Sequence, residues 1–144
     1  MGEVIIGFIL LITASVNLNI SYNPMKILEF IFVTICATLI YTSIKLATAS
    51  IAFWVKFSQS HMFMAYQIST FAKYPISIYP SAIKFILTFL IPFAFTGYYP
   101  GAYFIGKGNS LTGVFLPFII SLLSITESYK IWLKGISVYE SAGS

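Results

Sequence analysis

The chain has 144 residues, 58% of them apolar and 8% charged, with eight lysines, four glutamates, one histidine and neither Asp nor Arg. Soluble domains carry about a quarter charged residues, so this complement cannot cover the surface of a water-soluble fold. That excludes a soluble enzyme, a disordered tail and a nucleic-acid module, whose basic face needs clustered Arg and Lys. The net charge of +4 then reads as a membrane-orientation signal rather than a site for polyanions. A single Cys36 inside an apolar run excludes a disulfide framework within the chain and any Cys-based metal site. The class these numbers define is an all-α, polytopic membrane protein.

A transmembrane helix needs about 20 mostly apolar residues to cross a hydrocarbon core of about 30 Å. The first such run covers 4–20, opening VIIGFILLITASV, with no charge between Glu3 and Lys26. It lacks the basic start and small-residue cleavage site of a secretory signal, so it reads as a mature span. The turn Ser21-Tyr22-Asn23-Pro24 leads to a second span over 27–54, long enough to tilt or enter the headgroups. The segment 57–80 differs, mixing Ser, Gln and Thr with aromatics. Phe57, Met64, Ile68 and Phe71 recur at helical spacing, which predicts a cytoplasmic interfacial helix ending before Tyr74-Pro75. The alternative is a plain extension of the second span. Third and fourth spans are predicted over 83–103 and 111–132, which makes about four spans and one interfacial helix in a single transmembrane domain over 1–144. If the first span runs outward, Lys45, Lys56, Lys73, Lys84, Lys130 and Lys134 lie at or near the inside, against Lys26 and Lys107 outside. The positive-inside rule then places both termini in the cytoplasm.

The polar residues offer little chemistry. His61 is the only histidine, and the chain carries no HExxH and no Gly-rich phosphate loop, so no catalytic, cofactor or metal residue is expected. His61 with Glu127 is the one conceivable acid–base pair, and nothing in the sequence brings them together. Glu29, Lys45 and Glu127 are the candidate intramembrane polar residues. Glu29 follows Lys26 by three positions and Glu127 precedes Lys130 by three, which predicts charge pairing on one helical face. The functional alternative is a polar station on a transport path. Pro92 and Pro117 fall inside the third and fourth spans, where each removes a helix hydrogen bond and is a candidate kink. Gly97, Pro100 and Gly101 weaken the end of the third span further, and a kinked or re-entrant hairpin over 96–109 is expected. Tyr22, Trp54, Tyr74, Tyr79, Tyr98, Tyr99, Tyr103 and Trp132 crowd the predicted span ends as an aromatic belt.

Several stretches together carry a family resemblance. They are Phe71-Ala72-Lys73-Tyr74-Pro75, Ile78-Tyr79, Ile91-Pro92-Phe93-Ala94-Phe95, Tyr99-Pro100 and Gly106, with an ending in which Trp132, Gly135 and Tyr139 form a W-x-x-G-x-x-x-Y pattern. The chain resembles the C-terminal half of bacterial type-2 ABC transporter permeases, most closely the six-span exporter permeases. The likeness rests on motifs over 71–144 and on hydropathy alone over 1–57. It implies a multi-pass permease subunit of the bacterial cell membrane that pairs with a separate ABC ATPase subunit. It further implies a second permease protomer or a missing N-terminal half, because the chain resembles only spans three to six. Because the resemblance leaves out the usual coupling loop, it implies that the surface for the ATPase is 57–80, with Gln67, Phe71, Lys73, Tyr74 and Tyr79 as candidate contacts. Lysine without arginine, beside much Ile, Phe and Tyr, fits AT-rich coding and a low-GC bacterium. The competing expectation is a small membrane interaction or structural protein, or a fragment that no longer transports.

Overall fold

The computed structural model describes residues 2–18, 23–55, 58–71 and 74–138, and all regular structure among them is helical. Tyr22, Lys56, Phe57, Lys73 and the tail 139–144 lie outside the described residues, and with them the Tyr139 end of the C-terminal motif. Helix α1 spans Gly2–Asn17 and exposes apolar side chains on every side, from Val4 to Val16. Its 16 residues reach about 24 Å, short of the hydrocarbon thickness.

Helix α2, Pro24–Ser50, begins where the sequence supplies two start signals. The Asn23 side chain accepts the Met25 N–H at 3.1 Å, and Pro24 opens the helix, where its missing N–H has no intrahelical partner to lose. The helix tightens into a 3₁₀ turn over Ile51–Phe53, so that Pro24–Phe53 forms one apolar rod of 30 residues, about 45 Å long. The other full-length rod is Leu111–Ser137, made of a π turn over Leu111–Phe115 and helix α6, Leu116–Ser137.

α2 and α6 lie parallel. Phe32 meets Phe118 near their starts, with ring centroids 5.5 Å apart, and Phe53 meets Gly135 near their ends. On α2 the buried residues are Val33, Cys36, Ile40, Ser43 and Ser50; on α6 they are Pro117, Ser121, Ser128 and Gly135. The α2 set steps by threes, a four and a seven and the α6 set by a four and two sevens, the heptad spacing of a left-handed helix pair. Most of these residues are small, which lets apolar backbones approach closely where lipid gives no hydrophobic drive for helices to meet. The four buried hydroxyls bond back within their own helices: Ser43 to Leu39, Ser50 to Leu46, Ser121 to Phe118 and Ser128 to Ile125. The seam is therefore held by close packing.

Between these rods the chain makes its return. Helix α3, Ser58–Thr70, ends ahead of Tyr74-Pro75 and folds back along α2. Ile68 packs against the core cluster of Ile76, Leu87, Phe93 and Ala94, while Met64 stays exposed. The expected apolar stripe is thus divided between the protein and its surroundings. Helix α4, Ser81–Phe85, runs into a π turn over Ile86–Leu90; beyond a break, Phe93–Phe95 and helix α5, Tyr98–Phe104, continue. The two halves, Ser81–Leu90 and Phe93–Phe104, meet at 75°. Hydropathy leads one to expect four spans. Among the described residues two helices are long and apolar enough to cross a membrane, and a third arises if the bent pair counts as one span. α1 falls short on length, and the third run is interrupted by its own proline.

Candidate functional site

The break in the third span follows from what Pro92 cannot do. The Ile91 N–H still reaches the Ile86 carbonyl at 2.8 Å, five residues back, but Pro92 has no N–H to continue the ladder. Ile91 swings to an extended backbone and Pro92 sits at φ −70°, ψ 48°, close to an inverse γ-turn closed by the Phe93 N–H donating to the Ile91 carbonyl. The two sides of this turn are held differently. Phe93, Ala94 and Phe95 are buried, with the Phe93 ring 5.9 Å from that of Tyr41 on α2. On the other side Phe89 and Leu90 are 74% and 71% exposed.

Pro117 sits elsewhere in the ladder. It is at the first helical positions of α6, just after the π turn in which the Leu116 N–H bonds the Leu111 carbonyl. The wider turn takes up the lost donor, and the rod Leu111–Ser137 runs on through the proline.

An apolar groove of about 390 Å³ opens beside the break, between Ser43 and Ala47 of α2, Leu90 and Pro92, and Leu123 and Glu127 of α6. Glu127 supplies its only carboxylate and accepts a hydrogen bond from Lys130 at 2.7 Å, one turn along the same helix. Lys45 turns toward the start of α2, its Nζ 4.6 Å from the centroid of the Tyr41 ring.

At the Lys26 end of the molecule the polar groups are joined across elements. Tyr103, the penultimate residue of α5, donates its hydroxyl proton to Glu29 Oε2 at 2.8 Å and accepts a short hydrogen bond from Lys26 Nζ. Lys26 and Glu29 themselves stand 3.4 Å apart. The Tyr103 side chain also abuts the π turn of the fourth span, where a Cβ on Gly113 would lie 2.3 Å from the Tyr103 Cβ. Tyr103 figured in the sequence only as one belt aromatic among several; its partners lie 77 and 74 positions away, and no local spacing marks them.

Of the candidate partner contacts, Gln67 and Tyr74 are exposed. Phe71 and Tyr79 meet edge-on at 5.5 Å, and the Tyr79 hydroxyl donates to the Phe71 carbonyl at 3.2 Å, so this pair clasps the loop after α3. Lys73 is outside the described residues. Among the described residues no three His, Cys, Asp or Glu side chains converge where a metal ion would fit.

Two long parallel apolar helices, with a broken apolar pair between them in the chain, define an all-α membrane protein. Over residues 1–143 the chain matches the family described as ABC-2 family transporter protein, and it belongs to that family. It is accordingly a membrane permease component of an ABC transporter, a class of subunit that is not itself catalytic and normally works with an ABC ATPase. The match takes in the first half of the chain, where the sequence shows the likeness by hydropathy alone. No curated protein and no solved structure matches the chain.

Proposed function

We propose that the chain is the permease subunit of an ATP-driven exporter in a bacterial cell membrane, crossing it several times with both termini in the cytoplasm. The family match over residues 1–143 carries this reading. The six-to-two lysine split supports the orientation, since it puts the Lys26 and Tyr103 end away from the cytoplasm. The broken span supports transport, because discontinuous helices at membrane depth characterise pathways in which one segment moves against another. In this reading an ABC ATPase on a separate chain pushes on α3 and the loop through Tyr79, with Gln67 and Tyr74 free to meet it. The pathway is completed by a second permease protomer or by further spans supplied on another chain.

The test is reconstitution with an ABC ATPase, sought first in the reading frames that neighbour this one. A photoreactive residue at Gln67 or Tyr74 should give a specific adduct with the ATPase, and proteoliposomes holding both should hydrolyse ATP faster than the ATPase alone. Adducts only to lipid, with unchanged hydrolysis, would favour a small membrane interaction protein that carries permease helices without their coupling.

A further inference from the structure

Among the described side-chain hydrogen bonds, those of Tyr103 join segments 77 and 74 positions apart, whereas the other side-chain pairs on the spans close within one helical turn. Three elements converge on this residue. Its hydroxyl is held by Lys26 and Glu29 of α2; its Cβ fills the space Gly113 leaves at the start of the fourth span; its backbone packs under Gly108, where an added Cβ would come within 3.0 Å of the Tyr103 nitrogen. Next to it the Phe104 ring meets Phe30 of α2 edge-on at 5.4 Å. The α5 half of the broken span is therefore pinned to α2 at its far end. The α4 half turns away at Ile91–Pro92: its Leu87 is buried against Phe93 and Ala94 in the core cluster, while its last residues, Phe89 and Leu90, are exposed.

We propose that Tyr103, Lys26 and Glu29 form a latch that holds the tip of the α5 half-helix against the start of α2, and that α5 swings about the Ile91–Pro92 turn when the latch opens. A tyrosine hydroxyl suits this place because it gives a proton to a carboxylate and takes one from an ammonium at once. Hydrogen bonds to charged groups are the stronger kind, and at the edge of a membrane water competes for them less than on a soluble surface. Loss of the hydroxyl leaves Lys26 and Glu29 paired on α2, so the tie between elements is lost while the local charges stay balanced. The latch stands on geometry alone. Its use as a gate at the non-cytoplasmic end rests on the permease reading above.

The decisive measurement needs no ATPase. The full chain in lipid nanodiscs, with Cys36→Ala and spin labels at the exposed positions Leu28 and Ile105, reports the separation of α5 from α2. The segment Phe93–Phe104 is about 18 Å long at 1.5 Å per residue, so a swing of about 20° moves its tip by about 6 Å. With Tyr103 intact the labels should give one narrow distance population. Tyr103→Phe and Glu29→Gln, each keeping its helix content by circular dichroism, should each add a second population longer by about that amount, whereas Glu127→Gln should leave the distribution unchanged. A wild-type distribution in either latch variant overturns the proposal. Because this readout is independent of transport, a permease that fails to export can still pass it, and a failed latch leaves the family reading untouched.

Discussion

Two lysine–glutamate pairs, each three residues apart on a full-length helix, look alike in the sequence and behave differently in the structure. Glu127 and Lys130 approach to 2.7 Å with side chains 63% and 64% exposed, and no other element touches the pair through a hydrogen bond among the described residues. Lys26 and Glu29 stand farther apart, at 3.4 Å, yet are 41% and 25% exposed and share the hydroxyl of Tyr103. The shorter pair is the lesser one. An exposed pair within one helix contributes about 0–1 kcal/mol, since solvent screens it and ordering two long side chains costs entropy. A pair adopted by a third group from another element fixes tertiary structure as well. What gives such a pair meaning is the residue that bridges it, and that residue is invisible in the spacing.

The comparison is broken hardest at the glycine that makes room for the bridge. Gly113→Leu would place a Cβ 2.3 Å from the Tyr103 Cβ, an atom fixed by its own backbone, so α5 or the fourth span must move. Overpacking of this kind costs about 1–3 kcal/mol, and here it should also displace Tyr103 from Glu29. The expected result is a clear drop in melting temperature in detergent, together with the longer spin-label population. Gly135→Ala tests the other end of the fourth span, where it packs against the end of the α2 rod. There the clash falls on the Phe53 ring, 2.2 Å from the added carbon, and a ring can rotate away, so its effect on stability should be the smaller of the two.

Next in size is the hinge. Alanine at position 92 restores an N–H and removes the proline ring; the missing donor and the ring together disfavour a continuous helix by about 3 kcal/mol in a helix interior. Pro92→Ala should open the 75° angle toward a straight span and lower export in a reconstituted complex, with membrane insertion preserved. Unchanged export from an inserted, straightened span would make the proline a packing feature. Tyr103→Phe comes third. It removes one hydroxyl and keeps the ring against Gly113, and interhelical hydrogen bonds in membranes average about 0.6 kcal/mol, reaching about 1.7. A modest fall in stability with a marked change in the label distribution is the expected signature.

Much of this fold is legible in the residues. α2 and α6 follow from hydropathy, the end of α3 from the approach of Tyr74-Pro75, and the broken third run from a proline lacking a donor, whereas Asn23-Pro24, which reads as a turn ahead of a span from 27, proves to be the cap and first residue of α2. What escapes the sequence is what depends on distant contact. The seam between α2 and α6 is built from Cys, Ser, Pro and Gly beside Val33 and Ile40, and a hydropathy reading finds the rods while missing which face joins them. Pro117 carries the same local signal as Pro92, and only the π turn ahead of it lets the helix continue. The amphipathic stripe of α3 is divided because Ile68 meets the core cluster, whose Leu87 and Phe93 come from residues beyond the next loop. Of the candidate polar residues, Glu29 and Glu127 were visible from their lysine partners; Tyr103 was visible only as an aromatic at a span end.

The smallest effect belongs to the exposed pair, and it sharpens the contrast from the other side. Glu127→Gln removes the charge that meets Lys130, an interaction within one helix worth about 0.3–0.5 kcal/mol. Melting temperature and label distances should therefore stay close to those of the parent chain. Yet Glu127 also borders the groove beside Pro92, where among the described residues it is the one acidic side chain beside apolar and hydroxyl neighbours. A carboxylate there has two ways to matter, as half of an ion pair or as the charged end of a path, and the glutamine variant separates them. If export is kept along with stability, the pair is a local contact on the exposed face of α6. If export falls while stability and the latch distances hold, the loss cannot come from the ion pair, because Lys130→Gln would break that pair equally and should leave export intact.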